Sequence, residues 1–131
     1  MDRVGCNIIV LSEDKRQVLL IKRDDFRFWV PPGGGVDPGE SPETCAIRET
    51  REESGYEVAL DRLVGRFHWQ NAPDGPMVSY VYTAHVVGGA AITRGPETRD
   101  VRWFPVDRLP RRMLPHSKRR IFLAMEASTE P

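Results

Sequence analysis

The chain reads as an α/β domain, a mixed β-sheet flanked by helices. Two observations predict this. Short apolar runs of strand length recur along the chain, separated by polar turns. A capped and strongly charged helical segment interrupts them between 42 and 54. Neither the strands nor that helix could bury an apolar face alone, so sheet and helices are expected to cover one another. At 131 residues with 40% apolar content, one core in a single domain over 1–131 is expected.

Val4 to Leu11 and Val18 to Lys22 read as strands joined by the polar turn Ser12 to Arg16, a hairpin pattern. Phe26 to Val30 is a short aromatic run that stops at Pro31-Pro32. Gly33-Gly34-Gly35 follows and reads as a loop able to bring backbone close to a ligand. Ser41 is placed to cap a helix that starts with Pro42 and Glu43 and runs to about Ser54. Gly55 is placed to stop it, and Arg51 puts a cation in its last turn. Val58 to Trp69, Met77 to Val87 and Val101 to Phe104 are the remaining strands, with a polar loop over 94–99. Ser117 is expected to cap a final helix over Lys118 to Ala127.

Composition excludes several classes of function. Nineteen basic residues balance nineteen acidic ones, without the basic excess of a dedicated nucleic-acid binder, so no stable nucleic-acid binding is expected. No run of 18 apolar residues exists, and the N-terminal apolar stretch is too short and too soon broken by charge for a secretory signal. Cys6 and Cys45 make neither a disulfide framework nor a zinc motif, which fits a reducing cytoplasm. Cys45 lies near the sheet-facing side of the helix and reads as inert filling. His68, His85 and His116 have no metal-like spacing.

The informative segment is GGVDPGESPETCAIRETREESGY, over 34–56. On a helical wheel Ala46, Ile47 and Thr50 are expected to face the sheet, while Glu49, Glu52 and Glu53 share the opposite side. Like charges one turn apart repel by roughly 0.2–0.5 kcal/mol per pair when solvated, and partial burial raises their pKa values. A hard divalent cation removes that conflict, and Mg²⁺ commonly bridges carboxylates to phosphates. On the helix alone, a solvated acidic face paired with Arg48 and Arg51 is the favoured reading, because such faces are common.

The segment resembles the Nudix box, G-x5-E-x7-R-E-U-x-E-E-x-G-U with U an apolar residue. Gly34, Glu40, Arg48, Glu49, Glu52, Glu53 and Gly55 occupy all seven fixed positions. Thr50 departs from the aliphatic residue usual at the first U, and its methyl can still pack. Trp29-Val-Pro-Pro-Gly-Gly, Asp37-Pro-Gly-Glu40 and Trp103-Phe-Pro-Val-Asp-Arg-Leu-Pro110 resemble the family outside the box.

The resemblance implies a Nudix-like α/β/α sandwich and a metal-dependent hydrolase. Its substrate would be a nucleoside diphosphate linked to another moiety, with water attacking a phosphorus. Mg²⁺, or Mn²⁺, would be held by Glu49, Glu52 and Glu53 with a backbone carbonyl near Gly33. Arg48 would hold a catalytic glutamate, and Glu40 would order the loop and Arg48. For the general base the family leaves Glu49, Glu52, Glu97 and Asp100 as candidates. Arg23, Arg27 and Arg66 are candidates for phosphate contacts, and Phe28, Trp69 and Tyr80 for stacking on a base, each with solvation or core packing as the plainer alternative. Pro73 lies near the spacing of an ADP-ribose marker, whereas Tyr80 and Tyr82 lie beyond that of dinucleoside-polyphosphate types; a triphosphate-cleaving role is equally open. A non-catalytic nucleotide-sensing or protein-binding Nudix-fold module is the alternative, and a homodimer stays open.

Overall fold

A computed structural model describes residues 3–23, 27–92, 95 and 97–128, and the backbone alone for the last two. The order is β1 (Arg3–Val10), β2 (Gln17–Arg23), β3 (Trp29–Val30), β4 (Gly33–Gly35), α1 (Pro42–Ser54), β5 (Tyr56–Trp69), β6 (Met77–Gly89), β7 (Thr98–Pro105) and α2 (Pro115–Ser128). Among these residues the strands form two sheets, ordered β4-β1-β6-β5 and β3-β2-β7. The first is mixed, because β1 runs parallel to β6, in register from Arg3 opposite Met77 to Val10 opposite Ala84, and antiparallel to β4. The expected mixed sheet flanked by helices is therefore present, together with a second, antiparallel sheet.

The two sheets correct the hairpin reading. The turn closes as expected: the Ser12 N–H donates to the Gln17 carbonyl at 2.9 Å, and Leu11 bridges Val18. Beyond that bridge the strands part, β1 to β4 and β6, β2 to β3 and β7. Both strands are buried on both faces, which explains the split. Cys6, Ile8, Val10 and Leu19 pack into one core with Cys45 and Ala46 of α1. Ile9, Leu11, Val18 and Leu20 pack into another with Ile121 and Ala124 of α2. A strand covered on both sides needs lateral partners, not only its sequence neighbour.

Three boundaries also move. Gly33-Gly34-Gly35 is a strand rather than a loop, paired with Cys6 and its neighbours on β1. A Cβ on Gly33 would sit 2.4 Å from the Cys6 carbonyl oxygen, so side chains are excluded by close approach. Asp100 lies inside β7 instead of before it. Helix α2 begins at Pro115, so Ser117 is not its cap: it sits buried in the first turn, and the Lys118 N–H bonds to the Leu114 carbonyl. Proline is tolerated at a first helical position because its missing N–H would have no partner there. Phe26 and Arg94 lie outside the described residues.

Candidate active site

Helix α1 is built as its sequence requires. The Ser41 hydroxyl accepts from the Thr44 N–H at 3.1 Å, Pro42 starts the helix, and Gly55 ends it in the left-handed region at φ 88°. Ahead of it, Asp37-Pro-Gly-Glu40 forms a turn closed by the Glu40 N–H on the Asp37 carbonyl at 3.0 Å, with Gly39 at φ 80°. That is the type II pattern, proline second and glycine third. The turn aims Glu40 at Arg48.

Arg48 is the hub. Its Nε meets Glu40 Oε2 at 2.7 Å and its Nη2 meets Glu40 Oε1 at 2.9 Å, a two-pronged pair. Its Nη1 reaches Glu49 Oε1 at 2.9 Å and Glu52 Oε2 at 3.2 Å. The Arg48 guanidinium holds the Glu40 carboxyl down at a pKa of about 2, helped by the Asp37 N–H. Asp37 Oδ2 joins at 3.4 Å, a partner the box pattern does not single out. The Asp-Pro-Gly turn is its only signal in the sequence.

The three box glutamates do not share one solvated stripe. Glu53 is 5% exposed, whereas the side chains of Glu49 and Glu52 are 16% and 54% exposed. Ala46 and Thr50 are fully buried, as the wheel expects, whereas Ile47, also expected to face the sheet, is only half-buried. The stripe spans about 100° of helix. Its Glu53 side faces β4, where glycines let backbone cover it. Glu53 Oε1 accepts from the Gly33 N–H at 2.8 Å, and the Glu49 carboxyl carbon would lie 2.6 Å from a Cβ on Gly34. Desolvation pushes the Glu53 carboxyl up to about 8; the Glu49 charge adds to this, and the Gly33 bond and Arg23 oppose it. Glu49 is also raised, first by desolvation.

Bonds from Ile8 to Pro32 and from Val36 to Val4 set the phase of the β1–β4 ladder. In an antiparallel ladder alternate residues turn both polar groups to the same side. Gly33 and Gly35 therefore turn their carbonyls away from β1. The Gly35 carbonyl meets Arg48 Nη2 at 3.4 Å, and that of Gly33 lies on the same edge.

Two more predicted residues converge. Arg23 Nη1 lies 3.6 Å from Glu53 Oε2, and Arg23 Nη2 lies 3.9 Å from Glu97 Oε2. A bulge does this: Lys22 faces Asp100, but Arg23 faces Thr98, leaving Arg99 as the extra residue. Bulges re-aim side chains in this way and are invisible to periodicity. Asp100 instead pairs with Arg102 at 2.9 Å and caps the Val101 N–H. Arg66 is exposed on β5 opposite Tyr80, and Phe28 is half-buried before β3. A cleft lined by Tyr56, Trp103, Asp61 and His85 contains none of the box glutamates.

Among the described residues no three Asp, Glu, His or Cys side chains are already drawn together as metal ligands, since Arg48 and the Gly33 N–H hold the carboxylates. The donor chemistry nevertheless suits a hard divalent cation: carboxylate oxygens of Glu49, Glu52 and Glu53 beside a peptide carbonyl edge. A buried carboxylate crowded by a second one is also the kind of group that a cation relieves.

A family model described as "NUDIX domain" matches residues 1–125. The chain belongs to the Nudix family. It is 41% identical over 117 residues to a protein of Bacillus subtilis (strain 168) named "Putative 8-oxo-dGTP diphosphatase", covering 89% of this chain and 76% of that protein. It is 34% identical over 110 residues to the NAD-capped RNA hydrolase NudC of Pseudomonas aeruginosa (strain LESB58), covering 82% of this chain but only 38% of that one. Among solved structures, a MutT NUDIX hydrolase from Burkholderia pseudomallei superposes with a TM-score of 0.77 at 29% identity, over 94% of this chain and 98% of that one. The Nudix chain is thus a pyrophosphohydrolase of nucleoside diphosphate-linked compounds, and its family generally uses divalent metals. No helix among the described residues is long and apolar enough to cross a membrane.

Proposed function

We propose that this chain, a single Nudix domain, hydrolyses a nucleoside triphosphate with Mg²⁺ or Mn²⁺ bound at Glu49, Glu52, Glu53 and the Gly33 carbonyl. The observation that carries the metal site is Glu53: a carboxylate buried against Gly33, flanked by Glu49 and by Arg23. The triphosphate, rather than another nucleotide, is favoured by the Bacillus relative, which shares 41% identity over most of both chains.

A cation held by Glu49, Glu52 and Glu53 would supply charge neutralisation for the polyphosphate, polarisation of a phosphoryl oxygen and a more acidic water. The chain's own residues do the rest. Arg48 positions Glu49 and Glu52 through its guanidinium fork, and Glu40 anchors that fork from behind. A rigid helix and a glycine strand hold the carboxylates at fixed spacing, which limits reorganisation during reaction. Glu97 is the favoured general base, because it is exposed and lies beside Arg23, whereas Asp100 is committed to Arg102. Arg23 reaches both Glu53 and Glu97 and would meet a phosphate oxygen, and Phe28 would contact the base. The two free thiols fit a reducing cytoplasm.

The test is a panel of nucleoside triphosphates, ADP-ribose, dinucleoside polyphosphates and nucleotide sugars in ¹⁸O-water with Mg²⁺ or Mn²⁺. Release of a nucleoside monophosphate and pyrophosphate from a triphosphate, lost in Glu53→Gln, is the expected result. Preference for ADP-ribose would overturn the substrate class. Nucleotide binding without any product would favour a sensing module instead.

A further inference from the structure

Cys6 on β1 and Cys45 on α1 are the only cysteines of the chain, and their sulfurs lie 2.8 Å apart. The two thiols are in direct contact, either able to donate to the other, and their separation exceeds a disulfide bond of about 2.05 Å by less than 1 Å. Both side chains are buried, at 4% and 0% exposure. Nothing stands between them, because the β4 residue opposite Cys6 is Gly34, which has no side chain. Cys45 Sγ also lies 3.4 Å from the Gly35 carbonyl oxygen and 3.9 Å from Arg48 Nη2. The pair therefore joins the helix that carries the glutamates to the strand that supports the glycine strand, one helical turn before Arg48 and Glu49.

We propose that Cys6 and Cys45 are a thiol-oxidation site: hydrogen peroxide converts them into an intramolecular disulfide that fastens α1 to β1. The chemistry balances in two steps. The sulfur of one thiol attacks a peroxide oxygen, the O–O bond breaks, and the leaving oxygen takes the thiol proton and departs as water, leaving a sulfenic acid. The second sulfur then attacks the first, the S–O bond breaks, and the hydroxyl leaves with the second thiol proton as another water. Two sulfurs are oxidised and the two peroxide oxygens are reduced. No third cysteine competes for either sulfur. Burial holds both thiols above their usual pKa, so the reaction is slow while the core is closed. The same burial shields the product from exchange with external thiols.

The closed loop runs from residue 6 to residue 45 and contains β2, β3, β4 and the turn before α1. A cross-link over that length restricts the unfolded chain more than the folded one. The experiment treats the reduced, full-length chain with hydrogen peroxide, then denatures it and alkylates any remaining thiols. The expected result is a monomer lighter by about 2 Da, both thiols lost together. A peptide should join Cys6 to Cys45, and the melting temperature should rise by about 5 °C or more, a shift lost once the chain is unfolded in dithiothreitol and refolded. Cys45→Ala should abolish the shift. The mass and peptide measurements on the unmodified chain stand whether or not that variant folds. Two thiols still open to alkylation, oxygen added without a cross-link, or disulfide-linked dimers would each overturn the proposal.

Discussion

The two helices start alike and are finished differently. Each begins with proline, Pro42 in α1 and Pro115 in α2. Helix α1 has Ser41 in front to accept the Thr44 N–H, and Gly55 behind in the left-handed conformation. Helix α2 has Leu114 in front, no acidic residue in its first turn and no basic residue in its last. It is held instead by packing: Ile121 and Ala124 enter the core beside Val81 and Trp29, while Phe122 stays 66% exposed. The difference teaches what explicit caps are for. A helix that must carry a buried carboxylate and a second one beside it cannot rely on apolar packing alone, because crowding and desolvation both work against it. Its ends are fixed by local bonds, and its glutamates by Arg48, by Arg23 and by the Gly33 N–H.

The sharpest test of that contrast is Glu53→Gln. With Glu53 as the proposed cation ligand, the change should remove several kcal/mol of transition-state stabilisation and lower turnover by about a thousandfold or more. The same change should not lower the melting temperature of the metal-free chain at neutral pH, since the buried carboxyl, raised to about 8, is already largely neutral there and the amide has nearly its shape. Unchanged turnover, measured with Mg²⁺ and Mn²⁺, would break the functional half of the comparison.

The pH dependence of stability follows from the same residue. The Glu53 carboxyl is raised from 4.5 to about 8, so between those values the folded chain holds more protons than the unfolded one. Its contribution is fully present below pH 4.5 and is lost as pH rises through about 8. Chemical denaturation of the metal-free chain from pH 5 to 9 should show a fall on the order of a few kcal/mol. Glu53→Gln should flatten that slope, and added divalent cation should oppose it. Glu40 runs the other way: lowered from 4.5 to about 2, it supports the fold above that range and loses its effect as pH falls towards 2.

Arg48→Lys keeps a charge but loses the fork that meets Glu40, Glu49 and Glu52 together. Activity should drop about 10- to 100-fold, the size seen when a group supporting metal ligands is removed. Steady-state kinetics across a cation titration would check it, since the loss should appear partly as weaker metal dependence. Ser41→Ala should cost about 1 kcal/mol of stability by urea denaturation. Phe122→Ser should change it by less than about 0.5 kcal/mol, as a large apolar side chain that remains in water has little to lose.

Much of α1 is legible in the amino-acid sequence. Capping residues act on their nearest neighbours, so Ser41, Pro42 and Gly55 mark its ends correctly, and the box spacing singles out Glu40, Arg48 and the glutamates. The Glu53 environment is not legible there, because a helical wheel gives angles around one axis and not what lies beside it. Arg23 and Glu97 stand among several candidate arginines and acids, and only the bulge at Arg99 separates them from Arg66 and Asp100. The hairpin reading fails for a related reason: a polar turn predicts that two strands meet, not how long they stay paired.

From the sequence alone come the family, the box helix with its ends, and the crowding of its carboxylates, all of which depend on residues a few positions apart. The folded chain decides which glutamate is buried, which arginine meets it, and that Cys6 touches Cys45 across 39 positions. Those outcomes depend on how two sheets share two cores, and the glycine strand decides them by allowing backbone to come where any side chain would have blocked it.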